Sequence, residues 1–196
     1  EGKLSEVIGE NKQFDIKIQP ENKWSFDSAI FAIKKEMEGN SSETYLTHMS
    51  IKSIKIPEIF NLKVSSFNTI KNLTLNGNLT LISENMKEPV EKSLKSFDIS
   101  DLSFEWGKLN PELSGKIYIS SNNKLSGELF LKLIDWKHFL KILEETLLIK
   151  KSKIDILRGG FNMLARQTEL NKKLIIPVSI RSNNIYVGPI NFGDIR

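Results

Sequence analysis

Leu113-Ser114-Gly115-Lys116-Ile117-Tyr118-Ile119-Ser120-Ser121-Asn122-Asn123-Lys124-Leu125-Ser126-Gly127-Glu128-Leu129-Phe130-Leu131-Lys132-Leu133-Ile134, followed at once by Asp135-Trp136, is the stretch that decides the fold. Its first two thirds alternate with period two, and Asn122-Asn123 interrupts them. Asparagine tolerates the left-handed backbone of short hairpin loops, so Leu113–Ser121 and Lys124–Ile134 read as a hairpin. Leu125, Leu129, Leu131 and Leu133 share one face, with Glu128 and Lys132 on the other. Antiparallel sheets with one wet face alternate in this way. At Asp135 the period changes to that of a helix. Aspartate is a good N-cap, and Trp136, Phe139, Leu140, Leu143 and Leu147 then recur at three-and-four spacing.

Outward from this point the pattern repeats. Phe14, Ile16 and Ile18 mark a strand, and further strands are expected at Tyr45–Ile56, Leu62–Phe67, Asn72–Leu81 and Phe97–Trp106. In Asn72–Leu81, Leu73, Leu75, Leu79 and Leu81 oppose Asn72, Thr74, Asn76, Asn78 and Thr80. Gly77 sits on the apolar face and marks a bulge or a close backbone approach. Trp24–Met37 fits either period; the turn residues at Gly39-Asn40-Ser41-Ser42 favour a strand as far as Ile33. A second helix is expected from Ser152 to about Glu169, with Ile154, Leu157, Phe161 and Leu164 inward. Gly159-Gly160 costs that helix roughly 1 kcal/mol per glycine, which a kink or close packing would explain. Two last strands, Leu174–Arg181 and Ile185–Ile190, join through Asn183-Asn184, and Pro177 and Pro189 place them towards sheet edges or ends. The expected fold is a β-rich α+β domain spanning 1–196: an extended, curved antiparallel sheet with two C-terminal helices packed against it.

Composition excludes several functions. The 196 residues are 39% hydrophobic and 27% charged, a globular balance. The net charge of +4 comes from scattered lysine, with arginine only at positions 158, 166, 181 and 196. Bidentate recognition of phosphates and base edges favours arginine, so no nucleic-acid partner is expected. Without cysteine there are no thiol nucleophiles, disulfides or thiolate metal sites. No apolar run, that around Thr146–Ile149 included, is long enough to span a membrane. The chain opens on Glu1 rather than Met, which suits either a processed protein or a piece cut from a longer one, and in both cases a signal or anchor could have been removed. The sequons at Asn40, Asn72 and Asn78 are expected by chance in so asparagine-rich a chain.

Chemistry-bearing patterns are sparse. His48 and His138 stand outside metal-ligand spacing. No Gly-x-Ser-x-Gly occurs, and Gly159-Gly160 lacks the ending of a phosphate loop. Asp98, Asp101 and Glu105 lie in an otherwise ordinary strand. No enzyme, cofactor or metal is expected. The apolar faces carry the functional interest, because they must be buried or offered to an apolar ligand. Leu129, Leu131, Leu133, Trp136 and Phe139 are the groove candidates; a closed core is the alternative for the same residues. Since Trp136 directly follows the Leu129–Leu131–Leu133 face, its ring is expected to pack there. Trp106 needs a partner for its indole N–H if buried.

Ile99-Ser100-Asp101-Leu102-Ser103-Phe104-Glu105-Trp106-Gly107, Leu113-Ser114-Gly115-Lys116-Ile117 and Leu125-Ser126-Gly127-Glu128-Leu129 resemble an alphaproteobacterial family of uncharacterised proteins, domain-of-unknown-function family 2125. Ile176-Pro177-Val178-Ser179-Ile180-Arg181 with Val187-Gly188-Pro189-Ile190 is similar to its C-terminal signature. The resemblance covers about Asp98 to Gly193, and Ser182-Asn183-Asn184 replaces a glycine-containing turn. It implies a periplasmic or cell-envelope protein with an N-terminal signal or membrane anchor. It further implies similarity to envelope proteins that hold acyl chains along a curved sheet, and no catalytic residue follows from it. The expected partner is a lipid or other apolar ligand; a structural or protein-interaction module of the envelope is the second expectation.

Overall fold

The computed structural model describes residues 6–19, 22–38, 42–57, 67–83, 92–145, 151–167 and 173–194. Five long strands come first: β1 (Glu6–Gln19), β2 (Asn22–Glu38), β3 (Ser42–Lys55), β4 (Thr69–Ser83) and β5 (Lys92–Trp106). The short strands β6 (Glu112–Ile119) and β7 (Leu125–Leu133) follow, then helices α1 (Trp136–Glu145) and α2 (Lys151–Gln167). Strands β8 (Leu174–Arg181), β9 (Asn184–Val187) and β10 (Ile190–Asp194) complete the order. All ten strands form one antiparallel sheet whose spatial order is the sequence order. At about 3.3 Å per residue, the 14 residues of β1 extend roughly 46 Å. Register shifts interrupt five of the pairings, β1–β2, β2–β3, β4–β5, β5–β6 and β9–β10. Each bulge bends its strand and adds twist, which curves the sheet.

Register carries a single apolar row across the sheet. Phe31 stands opposite Met49, Met49 opposite Leu75, and Leu75 opposite Leu102. Leu102 then faces Leu113, Leu113 faces Leu131, and Leu131 faces Ile176. The adjacent row on the other face runs Ser50, Thr74, Ser103, Glu112 and Lys132. The alternation in the sequence is therefore in phase from strand to strand, which a one-residue slip would destroy. Burial along the apolar row rises towards the helices: Phe31 is 38% exposed, the middle members are half-buried, and Ile176 is 1% exposed. Towards β2 and β3 the apolar face ends at a polar cluster. There Lys35 donates to Glu43 at 2.8 Å and Tyr45 donates to the same carboxylate at 2.6 Å.

Local chemistry accounts for the turns and ends. Asp135 caps α1, its carboxylate accepting from His138 N–H at 3.0 Å. Ser182 and Asn183 both adopt positive φ, so they are the central pair of the β8–β9 hairpin, one position earlier than Asn183-Asn184. Asn183 also ties this hairpin to β7 through both its backbone and side chain with Leu125. Ser120 and Lys124 close the β6–β7 loop around three residues, with Asn123 left-handed, so the expected two-residue loop is one longer. The expected single strand Ile185–Ile190 is a hairpin instead. Val187 faces Ile190 across a turn made by Gly188, at φ 58°, and Pro189, which has no N–H to give a ladder.

Trp24–Ile33 is strand, and β2 runs past it to Glu38. Gly77 makes a close backbone approach, as its position on the apolar face implies. A Cβ there would sit 2.4 Å from the Asp98 carbonyl oxygen, beside a register shift. Gly159 and Gly160 behave differently: α2 continues through them, and nothing lies within 4 Å of a Cβ added to either. Close packing therefore does not explain that pair. The expected strand Leu62–Phe67, apart from Phe67, the turn residues Gly39–Ser41, the run Thr146–Ile149 and the end of the second helix at Thr168-Glu169 lie outside the described residues.

Candidate apolar ligand site

Helix α1 is apolar over a wide arc because it packs on two sides, against the sheet and against Phe67 and Leu109 in the connections next to β4 and β5. Ile142 packs with Phe67 and Leu109, while Leu140 and Leu143 join Leu133, Leu174 and Ile176. Helix α2 adds Ile154, Leu157 and Phe161 to that second cluster. Trp106, half-buried beneath α1, donates its indole N–H to the Phe67 carbonyl at 2.8 Å and meets the Phe67 ring edge-on.

The two helices do not fill the space above β7–β10. A recess of about 390 Å³ remains, walled by Phe139 and Leu143 of α1 and by Leu157 and Phe161 of α2. Leu131, Ile176, Val178, Ile185, Val187 and Phe192 of the sheet form its floor. Every lining side chain is apolar. A second apolar recess, about 430 Å³, lies on the flank of α2 between Ile156, Gly160 and Met163 and the β9–β10 turn. The two share Leu157, Phe161, Ile176 and Val187, so they are neighbouring halves of one cleft under α2. Such volumes fall in the range of about 300–1,000 Å³ usual for small-molecule sites.

Of the five groove candidates, the structure brings Leu131 and Phe139 together in this cleft. Leu133, 1% exposed, is closed into the core beneath it, and Leu129 belongs to the next cluster along the sheet, with Ile99 and Ile180. Trp136 packs against the same core as Leu133, but its ring meets Phe161 edge-on at 6.0 Å. From there it lines a polar crevice with Lys137, Lys141, Glu144 and Arg158. Of the lining residues outside the five candidates, Leu143, Leu157 and Phe161 stand on the apolar stripes of the two helices, and Ile176, Val178, Ile185, Val187 and Phe192 come from the last three strands. The helical period signals the first three and alternation in Leu174–Ile180 signals Ile176 and Val178; the β9–β10 hairpin that positions the others stands where the sequence suggests a single strand.

The polar residues have ordinary surface roles. His48 Nδ1 lies 2.7 Å from Asn76 Oδ1 on an exposed face, and the His138 ring tilts against Phe67. Asp98 faces Lys116, Asp101 accepts from Ser103, and Glu105 accepts from Asn72. Among the described residues no three His, Asp or Glu side chains are grouped so as to hold a metal ion, and no helix is long and apolar enough to cross a membrane.

Residues 71–196 match the family model described as uncharacterized protein conserved in bacteria (DUF2125). The chain belongs to this family. The match begins at Lys71, well before the Asp98 suggested by the quoted motifs, and takes in β4–β10 with both helices. The DUF2125 region thus contains the whole cleft and most of the half-buried apolar row, while β1–β3 lie outside it. Comparison with curated proteins and with solved structures gives no match.

Proposed function

We propose that this DUF2125 protein is a non-enzymatic bacterial envelope protein, working in the periplasm or at the membrane. It binds or passes a lipid or other apolar ligand, with acyl chains lying in the cleft between the helix pair and the sheet. The observation that carries this reading is the in-phase apolar row from Phe31 to Ile176. It ends where the buried core opens into an entirely apolar recess. Apolar surface held half-exposed on this scale is unfavourable unless something covers it. Ten methylenes moved from water into the cleft would contribute about 8 kcal/mol, equivalent before association costs to a dissociation constant of about 1 µM.

Leu131 lies at the floor of the cleft and Lys132 on the opposite face of the same strand. Titration with a fluorescent fatty acid is expected to saturate for the wild type and for Lys132→Glu, and to stay flat for Leu131→Glu. Circular dichroism must show both variants folded. A flat wild-type titration would remove the lipid reading. A protein-interaction module would then take its place, and one observation favours it: Phe130, 43% exposed, and Ile175, 45% exposed, lie together with Pro177 on the otherwise polar face of β7 and β8.

A further inference from the structure

The outer flank of α2 does not match the rest of the protein's surface. Met163 is 69% exposed and Ile156 56%, one on each side of Gly160 at helical spacing. They form the rim of the second recess. The same stripe continues to a cation at each end, Lys153 one turn before Ile156 and Arg166 one turn after Met163. Lys153 donates to the Asn191 carbonyl, which fixes that end beside β10. The helix carries four cationic side chains against one carboxylate, Asp155, and Arg158 pairs with both Asp155 and Glu144 of α1. Among the described residues Lys153 and Arg166 have no ion pair, so both ends of the stripe offer positive charge to an outside anion.

A helix with large apolar side chains outward, cations at both ends and its other face docked on a core suits the interface of an anionic bilayer. The apolar side chains enter the acyl region while the long cationic ones reach the phosphates. We propose that α2 docks this protein on anionic phospholipid membranes, with Ile156 and Met163 inserted and Lys153 and Arg166 on headgroup phosphates. The cleft mouth at Gly160 then opens directly onto the acyl chains. Gly160 has no side chain to close that mouth, which gives the glycine pair a role that packing does not. The inference rests on the lipid reading above for its purpose, but not for its test.

The test is flotation of the full chain with vesicles of phosphatidylcholine alone or mixed with phosphatidylglycerol. The expected result is binding to the mixed vesicles only, falling as salt is raised. Ile156→Glu/Met163→Glu should weaken it about tenfold or more, and Lys153→Glu/Arg166→Glu should abolish the dependence on phosphatidylglycerol. Phe130→Glu, on the far side of the sheet, should float as the wild type does. The Lys153→Glu/Arg166→Glu protein should still bind the fatty-acid probe, since neither residue lines the cleft; this also shows it to be folded. Equal flotation with both vesicle types, or unchanged flotation of either double variant, would overturn the proposal. Flotation that follows the expected pattern while the wild type fails to bind the probe would support docking and overturn the cleft reading alone.

Discussion

Phe161→Ala is expected to cost about 3–5 kcal/mol of stability and to release both helices from the sheet. Phe161 is 3% exposed and belongs to the largest core cluster. It also meets Trp136 edge-on at 6.0 Å and walls both halves of the cleft. Its ring is therefore the part that α1, α2 and β8 have in common. Removing it merges the two recesses and leaves a cavity that its rigid neighbours cannot fill. The checking measurement is urea denaturation followed separately by tryptophan fluorescence and far-ultraviolet circular dichroism. The fluorescence transition, to which Trp106 beneath α1 and Trp136 within it contribute two of the three tryptophans, should move furthest. A midpoint unchanged from the wild type would show that the helices are held by other contacts.

The second large effect is expected in the sheet. Gly77→Val should destabilise by about 3 kcal/mol, because its Cβ would collide with the Asp98 carbonyl oxygen and with the Phe97 ring. The Asp98 carbonyl is fixed by the β4–β5 ladder and cannot retreat without breaking it. Gly160→Ala makes the contrasting case, gaining about 0.5–1 kcal/mol, since the added methyl meets nothing and the helix gains propensity. Thermal melts of the two variants should therefore shift in opposite directions. Equal destabilisation would mean that Gly160 is under a constraint the structure does not contain.

These two glycines also mark how far the sequence can be read. Gly77 sits on the apolar face of an alternating strand, so a close approach was legible from period alone. The surroundings of Gly160 were not, because a glycine in a helix looks the same whether or not another element presses on it. The strand and helix order was legible for a related reason: each element has a clean period, and every connection in a meander is local. In-phase register across seven strands, from Phe31 to Ile176, was not visible, since bulges such as those between Ile99 and Leu102 shift the pairing without leaving a pattern. The β9–β10 hairpin was missed because its strands are too short to show a period, and Gly188-Pro189 passes for the end of one strand. With it went Ile185, Val187 and Phe192, three of the cleft-lining residues. Leu131 and Phe139 were recoverable because they sit on strong periodic elements. Leu133 and Trp136 share that signal; depth of packing separates Leu133 from the cleft, whereas Trp136 faces the polar crevice instead.

An acyl-binding cleft under α2 is tested most directly by non-denaturing mass spectrometry of the purified protein after incubation with excess phospholipid. Discrete adducts at the mass of a phospholipid or fatty acid are expected, absent from Leu131→Glu and present in Lys132→Glu. The mass of the bare chain alone, under conditions where it stays folded, would contradict it.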